Sequence, residues 1–320
     1  MKKNWKLYYI KPEDTLASIA FRLNMTEEQV KDFHNSNCWE ARILWFDYFE
    51  YMEKLIIPIN KVSEEQNTKK LERLLPSKEY LISIHHPKYL VTETLVSQEN
   101  ETQISYLINI HFPDTNNPNL VTVKAEHFKK NNKRIGHKID GISIACLEAA
   151  SPLLFSLTEK GNIEELKNHK EILENFKTHR KDIENFHIGE VTKEYLDHVE
   201  ESLSIENEVQ RQLRSTLLYQ VLFPKSTWFH RFSPWKERFV VKLKTSPVAF
   251  NCTTEHRDIS YSVIETRLAC QEADSDHPHW INISYQTDTL TKKLNEIDAK
   301  ISSSENDEIH VQHKIHLKAI

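Results

Sequence analysis

Glycine is scarce in this chain of 320 residues, which holds only four, at positions 136, 141, 161 and 189. Average usage of roughly 7% would supply about 22. The dinucleotide-binding fingerprint, the phosphate-binding P-loop and the G-x-S-x-G nucleophile elbow all need glycine for close backbone approach or a strained turn. The sequence has none of these motifs, so enzymes of the Rossmann and P-loop classes are not expected.

The charge of the chain indicates no polyanionic partner. The 42 basic and 47 acidic residues give a net charge of −5. Non-specific binding to nucleic acid or to anionic membranes usually needs a basic excess or a basic stripe. The longest basic run, residues 129–134, is short and falls where a turn is predicted. We therefore predict no nucleic-acid partner, and since no stretch approaches about 18 apolar residues, no membrane span.

The N-terminal residues and the cysteines bear on the compartment. The first ten residues are basic but contain no apolar segment of the ~7–15 residues that a signal peptide requires. The four cysteines are widely spaced, without a C-x-x-C pair, and are predicted to be reduced thiols: Cys38, Cys146, Cys252 and Cys270. Together these features predict a cytoplasmic protein. Export through a contractile secretion machine would also need no signal peptide, and so stays open.

Residues 7–59 are predicted to form a strand, two short helices and a second strand. Asp14 or Thr15 can cap a helix whose apolar residues, from Leu16 to Leu23, recur at helical spacing. Thr26 begins a second helix and has a glutamine three residues later, which is the capping-box pattern. The run 55–58 is typical of an edge strand closed by proline.

This order of elements resembles the LysM module. The resemblance rests on Tyr9, residues 14–16 and 19–20, the Thr26 cap before Val30, Asn35 and residues 55–58. It implies a βααβ fold and binding of N-acetylglucosamine-containing glycans, such as peptidoglycan, through the loop after the first strand and the loop before the second. By position, these loops hold the candidate ligand-binding residues Pro12, Glu13, Asp14, Thr15, Leu16 and Asn35.

Two features of this segment favour a protein partner over a glycan. Glu13 and Met52 stand where LysM modules usually have glycine, so side chains would obstruct close approach to a sugar. Aromatic residues also crowd the connection before the second strand. They could stack on sugars, but helical spacing favours packing on a neighbouring domain or a partner surface. The aromatic residues are Trp39, Trp45, Phe46, Tyr48, Phe49 and Tyr51.

The rest of the chain is predicted to be a separate α+β domain. Residues 1–60 form the LysM-like module, residues 61–77 a polar linker and residues 78–320 the larger domain. Alternating strand-like segments joined by short turns favour an antiparallel meander. Helical periodicity between 140 and 222 allows a further division into two β-rich halves around a helical middle. A short helix is predicted around residues 289–301. The predicted fold class is thus α+β, a βααβ LysM module followed by a larger domain of antiparallel sheet and helices.

The sequence offers little evidence of catalytic chemistry. The histidines cluster at 85–86, 277–279 and 310–316, but these groups do not show the three or four converging ligands of a zinc site. No serine or cysteine lies in a motif that identifies a base beside it. We predict no catalytic residues, no metal and no cofactor.

The favoured function is that of a non-enzymatic adaptor. The layout, a LysM-like start and a large α+β remainder, is similar to that of proteins associated with contractile injection and type VI-like secretion systems. That resemblance implies an adaptor or effector-loading role, with a spike, baseplate or toxin component as protein partner. The alternative is a peptidoglycan-binding protein, and binding assays would distinguish the two.

Overall fold

The computed structural model describes most of the chain. The described ranges are 5–11, 14–23, 25–38, 43–44, 49, 52–58, 71–77, 84–97, 101–113, 119–131, 133, 136–231, 234–240, 247–260, 262–273, 275, 278–305 and 308–320.

The N-terminal elements build a small sheet with its own core. They are strand β1 (Trp5–Tyr9), helix α1 (Leu16–Leu23), helix α2 (Glu27–Asn37) and strand β2 (Lys54–Pro58). β1 and β2 pair antiparallel. The capping box at the start of α2 is present, because Thr26 Oγ1 accepts a hydrogen bond from the Gln29 backbone N–H at 3.1 Å and Gln29 Oε1 accepts one from the Thr26 N–H at 2.9 Å. Two N–H groups are thereby satisfied.

One large antiparallel sheet dominates the rest of the structure. Its strands are β3 (Lys88–Ser97), β4 (Glu101–His111), β5 (Leu120–Lys130), β6 (Leu153–Leu157), β7 (Ile163–Leu166), β8 (Trp235–Phe239), β9 (Val248–Ser260), β10 (Val263–Glu272), β11 (His279–Asp288), β12 (Leu294–Glu305) and β13 (Glu308–Ala319). Their spatial order is β7-β6-β5-β4-β3-β13-β12-β11-β10-β9-β8. The first strands form a meander that runs outward from β3, and the later strands form another that runs back inward. β13 then pairs with β3 at the middle of the sheet.

The helices lie between the two meanders in sequence. They are α3 (Lys138–Ala149), α4 (His169–Phe186), α5 (Glu190–Ser204), α6 (Glu206–Ser215) and α7 (Leu217–Leu222), followed by a 3-10 helix (Ser226–His230). α3, α4 and α5 pack together around Phe176 and Leu196, both fully buried. α7 lies against the sheet at β12, and the hydroxyl of Tyr285 on the neighbouring strand β11 donates a hydrogen bond to the Val221 carbonyl at 3.2 Å.

The two faces of the large sheet differ sharply. Side chains alternate between the faces along a strand. On the covered face, apolar residues such as Val91, Ile297 and Ile315 pack in one core with α7 and the residues that follow it in sequence. The open face is polar and forms a shallow groove of about 780 Å³. Among its lining residues are Thr92, Ser284, Asp298, Lys300, Lys314 and His316.

The predicted fold class was wrong. We expected a βααβ LysM module followed by a larger domain of antiparallel sheet and helices. The organising unit is instead a single sheet that joins both strand-rich blocks through the β3–β13 pairing. The N-terminal elements do not amount to a clear LysM module: α2 ends at Asn37 and β2 begins only at Lys54. Local periodicity did not reveal that strands far apart in sequence would pair.

Two smaller predictions were also wrong. The helix predicted around 289–301 is absent: residues 289–293 form a turn, and residues 294–301 belong to strand β12, in which Ile297 and Ala299 alternate onto the covered face. Cys252 and Cys270, predicted to be reduced, lie directly opposite each other on β9 and β10 and form a disulfide. Both cysteines are buried. Cys146 is a buried free thiol, and burial raises its pKa to about 11.

Residues 71–77, the end of the predicted linker, contact the 3-10 helix and the turn before β12. The Pro76 carbonyl lies 2.7 Å from His230 Nε2, beside the 3-10 helix. The Arg73 carbonyl accepts a hydrogen bond from Lys292 Nζ at 2.7 Å, at the turn before β12. Leu75 between them is buried. This short stretch is therefore anchored at two points.

Candidate functional site

The predicted ligand-binding residues of the N-terminal segment are occupied by local hydrogen bonds. Asp14 Oδ2 accepts from the Tyr8 hydroxyl at 2.7 Å and from the Lys11 N–H at 2.9 Å. Thr15 Oγ1 accepts from the Ser18 N–H at 3.0 Å, which caps α1. Leu16 is fully buried in the small core. These side chains fix the turn between β1 and α1.

Asn35 holds the long connection after α2. Its Oδ1 accepts from the Leu44 N–H at 2.8 Å, and its Nδ2 donates to the Leu44 carbonyl at 3.1 Å. The amide side chain thus pairs with the backbone as a strand neighbour would. Phe49 packs partly buried against the same small core. The remaining predicted residues lie outside the described residues: Pro12, Glu13, Trp39, Trp45, Phe46, Tyr48 and Tyr51. The binding roles of all these residues stay predictions.

A cavity of about 480 Å³ lies between the covered face of the sheet and the helices. Strands β3, β4 and β5 form its floor, and residues of α3, α5 and α6 form its opposite wall. The lining is largely aliphatic and aromatic, with Ile104, Val123, Phe128, Ile144, Leu203 and Leu213 among its residues. The volume falls within the range of about 300–1,000 Å³ of small-molecule sites in proteins.

Two polar side chains at the floor of this cavity, Glu93 and Tyr106, form a cluster with His313 of the adjacent strand β13. Glu93 Oε1 accepts a hydrogen bond from the Tyr106 hydroxyl, and Glu93 Oε2 lies 2.7 Å from His313 Nε2. Glu93 and His313 are each only 22% exposed. Burial, and then the nearby Glu93 charge, raises the pKa of Tyr106 well above its usual range, so the phenol stays a neutral donor.

An ion pair between β5 and α3 lines the cavity. Lys130 Nζ donates to Asp140 Oδ2 at 2.8 Å, with both side chains about one-third exposed or less. Leu95 and Leu147, two exposed apolar residues, also line this region. The cavity is therefore open to solvent beside a neutralised pair of charges.

An exposed set of large apolar side chains, which we term the apolar patch, surrounds the α4–α5 turn and one side of α3. Phe186, Ile188 and Val191 at the turn are 83%, 80% and 68% exposed. The turn touches α3, since a β-carbon on Gly141 would lie 3.1 Å from His187 Cε1. Tyr195 on α5 reaches α3 through a 3.0 Å hydrogen bond between its hydroxyl and Ser143 Oγ. The apolar patch comprises Ile139, Leu147, Phe186, Ile188, Val191 and Tyr195.

One arginine links α4 to α5. Arg180 on α4 donates from Nε to Glu184 at 2.8 Å and from Nη1 to Glu200 on α5 at 2.5 Å, and it also contacts Asp197. These three carboxylates raise the pKa of the guanidinium further above its usual range. The turn that carries the apolar patch is thereby fixed by a charged network as well as by the helix core.

Sequence reasoning missed the cavity cluster and the patch. The signal for Glu93 was available, because Tyr89, Val91, Glu93 and Leu95 alternate on one face of a strand, and a carboxylate among apolar residues is unusual there. The three-residue spacing of His313 and His316 does predict opposite faces, and the structure confirms it. The signal for the apolar patch was also available, because Phe186, Ile188 and Val191 are apolar residues at the end of a helical pattern.

Within the described ranges, no three His, Cys, Asp or Glu side chains come together as a metal site would require. None of the helices in the part of the chain that the structure describes has the length and apolar character needed to cross a bilayer. No protein-family model matches the chain, and no curated protein matches it in sequence.

Proposed function

We propose that this chain is a non-enzymatic adaptor that holds a protein partner against its apolar patch. The observation that carries the proposal is the exposure of Phe186, Ile188 and Val191 together at one turn. Contiguous exposed apolar surface of this kind marks interaction sites in soluble proteins. Aromatic anchors such as Phe186 are also the residues that dominate binding energy at interfaces.

The class of partner follows from the sequence resemblance. An adaptor or effector-loading component of a contractile injection or type VI-like secretion system would dock on a spike, baseplate or toxin component. Such a protein is made in the cytoplasm and can leave it with the machine.

The patch also has the rigidity that docking needs. The Arg180 network and the α3–α5 contacts hold the turn in place before a partner arrives. Pre-organised surfaces lose less conformational entropy on binding, which favours affinity. In contrast, Asp14 and Asn35 of the alternative glycan site are already engaged with the chain itself. This is why we favour protein docking over peptidoglycan binding.

Crosslinked co-purification from the native cells tests the proposal. The wild-type chain is expected to recover spike, baseplate or toxin components, and the Phe186→Ser/Ile188→Ser double variant is expected to lose them. Leu290→Ser is the matched control, since Leu290 is equally exposed but lies at the β11–β12 turn. Equal recovery by the double variant would overturn the proposal. So would retention on purified peptidoglycan sacculi that Asn35→Ala abolishes.

A further inference from the structure

The cavity between the sheet and the helices is separate from the docking surface proposed above. Leu147 alone belongs to both, at the cavity's edge. Most of the cavity wall is apolar, so the part of a ligand that enters must be apolar too. The volume of about 480 Å³ suits one flexible chain or a small ring system rather than a peptide.

The charges lining the cavity restrict the head group of such a ligand. Among the described lining residues, Glu93, Lys130 and Asp140 are the acidic and basic side chains. Lys130 is paired with Asp140, and His313, which is not among the lining residues, is paired with Glu93, so the described lining offers no unpaired cation to an anionic head. The Glu93 carboxylate uses two acceptor positions, towards Tyr106 and His313, of the roughly four that a carboxylate offers. Its remaining positions can accept a donor from a ligand.

A ligand carboxylate would meet a different environment. It would bring a second negative charge towards Glu93 in a partly buried site, where like charges repel strongly. An amine or a hydroxyl would instead donate to the free acceptor positions. Charge-assisted hydrogen bonds of this kind are the stronger ones, so an amine gains most.

We infer that this cavity binds a single-chain amphiphile whose head group donates hydrogen bonds, a long-chain amine or alcohol, with the chain along the apolar wall and the head at Glu93. Tyr106 and His313 are positioning residues in this site, because they orient the carboxylate from either side.

Displacement of a neutral fluorophore from the full chain tests the inference. N-phenyl-1-naphthylamine is expected to become fluorescent on binding, and dodecylamine, dodecanol and dodecanoate then compete with it. We expect the amine and the alcohol to displace the probe at concentrations about tenfold below those of the acid, a ratio that corresponds to one good hydrogen bond. No binding of the probe, or equal competition by all three, would overturn the inference.

Three variants connect the result to the cavity. Glu93→Gln is expected to reduce the advantage of the amine over the acid to about twofold, because the head loses its charged acceptor. Asp298→Asn is the matched control, since Asp298 also pairs with a histidine but on the open face. Ile188→Ser separates the cavity from the apolar patch and should leave probe binding intact. An unchanged preference in Glu93→Gln, or loss of the probe in Ile188→Ser, contradicts the inference.

A cavity-filling variant provides a second readout. Ala125 lines the cavity from β5, and Ala125→Phe is expected to weaken probe binding at least about tenfold while keeping the circular dichroism of the parent. If this variant fails to fold, the Glu93→Gln ratio alone decides the outcome. Undiminished probe binding by a folded Ala125→Phe would show that the ligand lies elsewhere.

Discussion

Two carboxylate–histidine pairs on opposite faces of the sheet share nearly the same geometry. Glu93 Oε2 lies 2.7 Å from His313 Nε2 on the covered face, and Asp298 Oδ1 lies 2.8 Å from His316 Nδ1 on the open face. Both histidines belong to β13. The covered pair is mostly buried and is joined by Tyr106, whereas the open pair is about half exposed. Surroundings rather than distance should therefore set what each pair contributes.

The effect of burial on a charged group should be largest for a histidine that lies inside the core. His85 packs against Phe112 and Phe223, and burial, with a smaller contribution from His86, lowers its pKa to about 3. Between pH 6.5 and 3 the unfolded chain binds a proton that the folded chain does not, so stability falls as the pH is lowered. The shift corresponds to a loss on the order of 5 kcal/mol.

His85→Leu is expected to remove much of that acid sensitivity. Urea denaturation at several pH values measures it as a shallower fall in the free energy of unfolding. His256, whose pKa burial lowers to about 4, should retain a part of the effect. The same acid dependence in parent and variant would show that His85 is not the buried group responsible.

Truncation of neighbouring residues on β13 tests the two faces directly. Ile315 is buried on the covered face, and Ile315→Ala is expected to cost about 3 kcal/mol through lost burial and a cavity. Lys314 points to the open face, and Lys314→Ala should change stability by no more than about 0.5 kcal/mol. Chemical denaturation of both variants is the measurement. Comparable losses would mean that the open face is covered in solution.

Removal of a donor from the covered cluster should have an intermediate effect. Tyr106→Phe leaves Glu93 Oε1 without its phenol partner, at an expected cost of about 1–2 kcal/mol. The ring contact with Phe128, with centroids 4.9 Å apart, is retained, so packing changes little. Thermal denaturation of the variant and the parent measures the change in stability. Equal stability of the two would imply that solvent replaces the phenol as the partner of Glu93.

The smallest effect is expected at the open pair. Asp298→Asn should cost less than about 1 kcal/mol, and added salt should reduce the difference further, because exposed ion pairs are weak and screened. Denaturation midpoints at low and high salt measure it. A larger cost than that of Tyr106→Phe would break the comparison between the faces.

Local patterns in the sequence predicted several elements correctly. The capping box at Thr26 is one of them, and it depends on neighbouring residues alone. The helix predicted at 289–301 was wrong for an identifiable reason. Leu294 and Ile297 are both fully buried three residues apart, as on a helix, because a register shift interrupts the pairing of β11 with β12. An irregular strand thus imitates helical spacing.

The candidate site was harder to predict because its parts are distant in sequence. Glu93 and His313 are 220 residues apart, and their contact depends on the pairing of β3 with β13. Nothing in the alternation of either strand specifies its neighbour. Asn35, in contrast, was predicted to lie in a loop but lies in the last turn of α2, and the sequence did not show that its side chain pairs with Leu44.

The central position of β13 has a consequence for how the chain is made. During synthesis β3 and β4 leave the ribosome long before β13, so the edge of β3 is without its partner while more than half of the chain is being added. Unpaired edges recruit other strands and promote aggregation. Contacts between strands so far apart in sequence also slow folding. A nascent chain of this protein should therefore depend on chaperone protection until the sheet is joined at its centre.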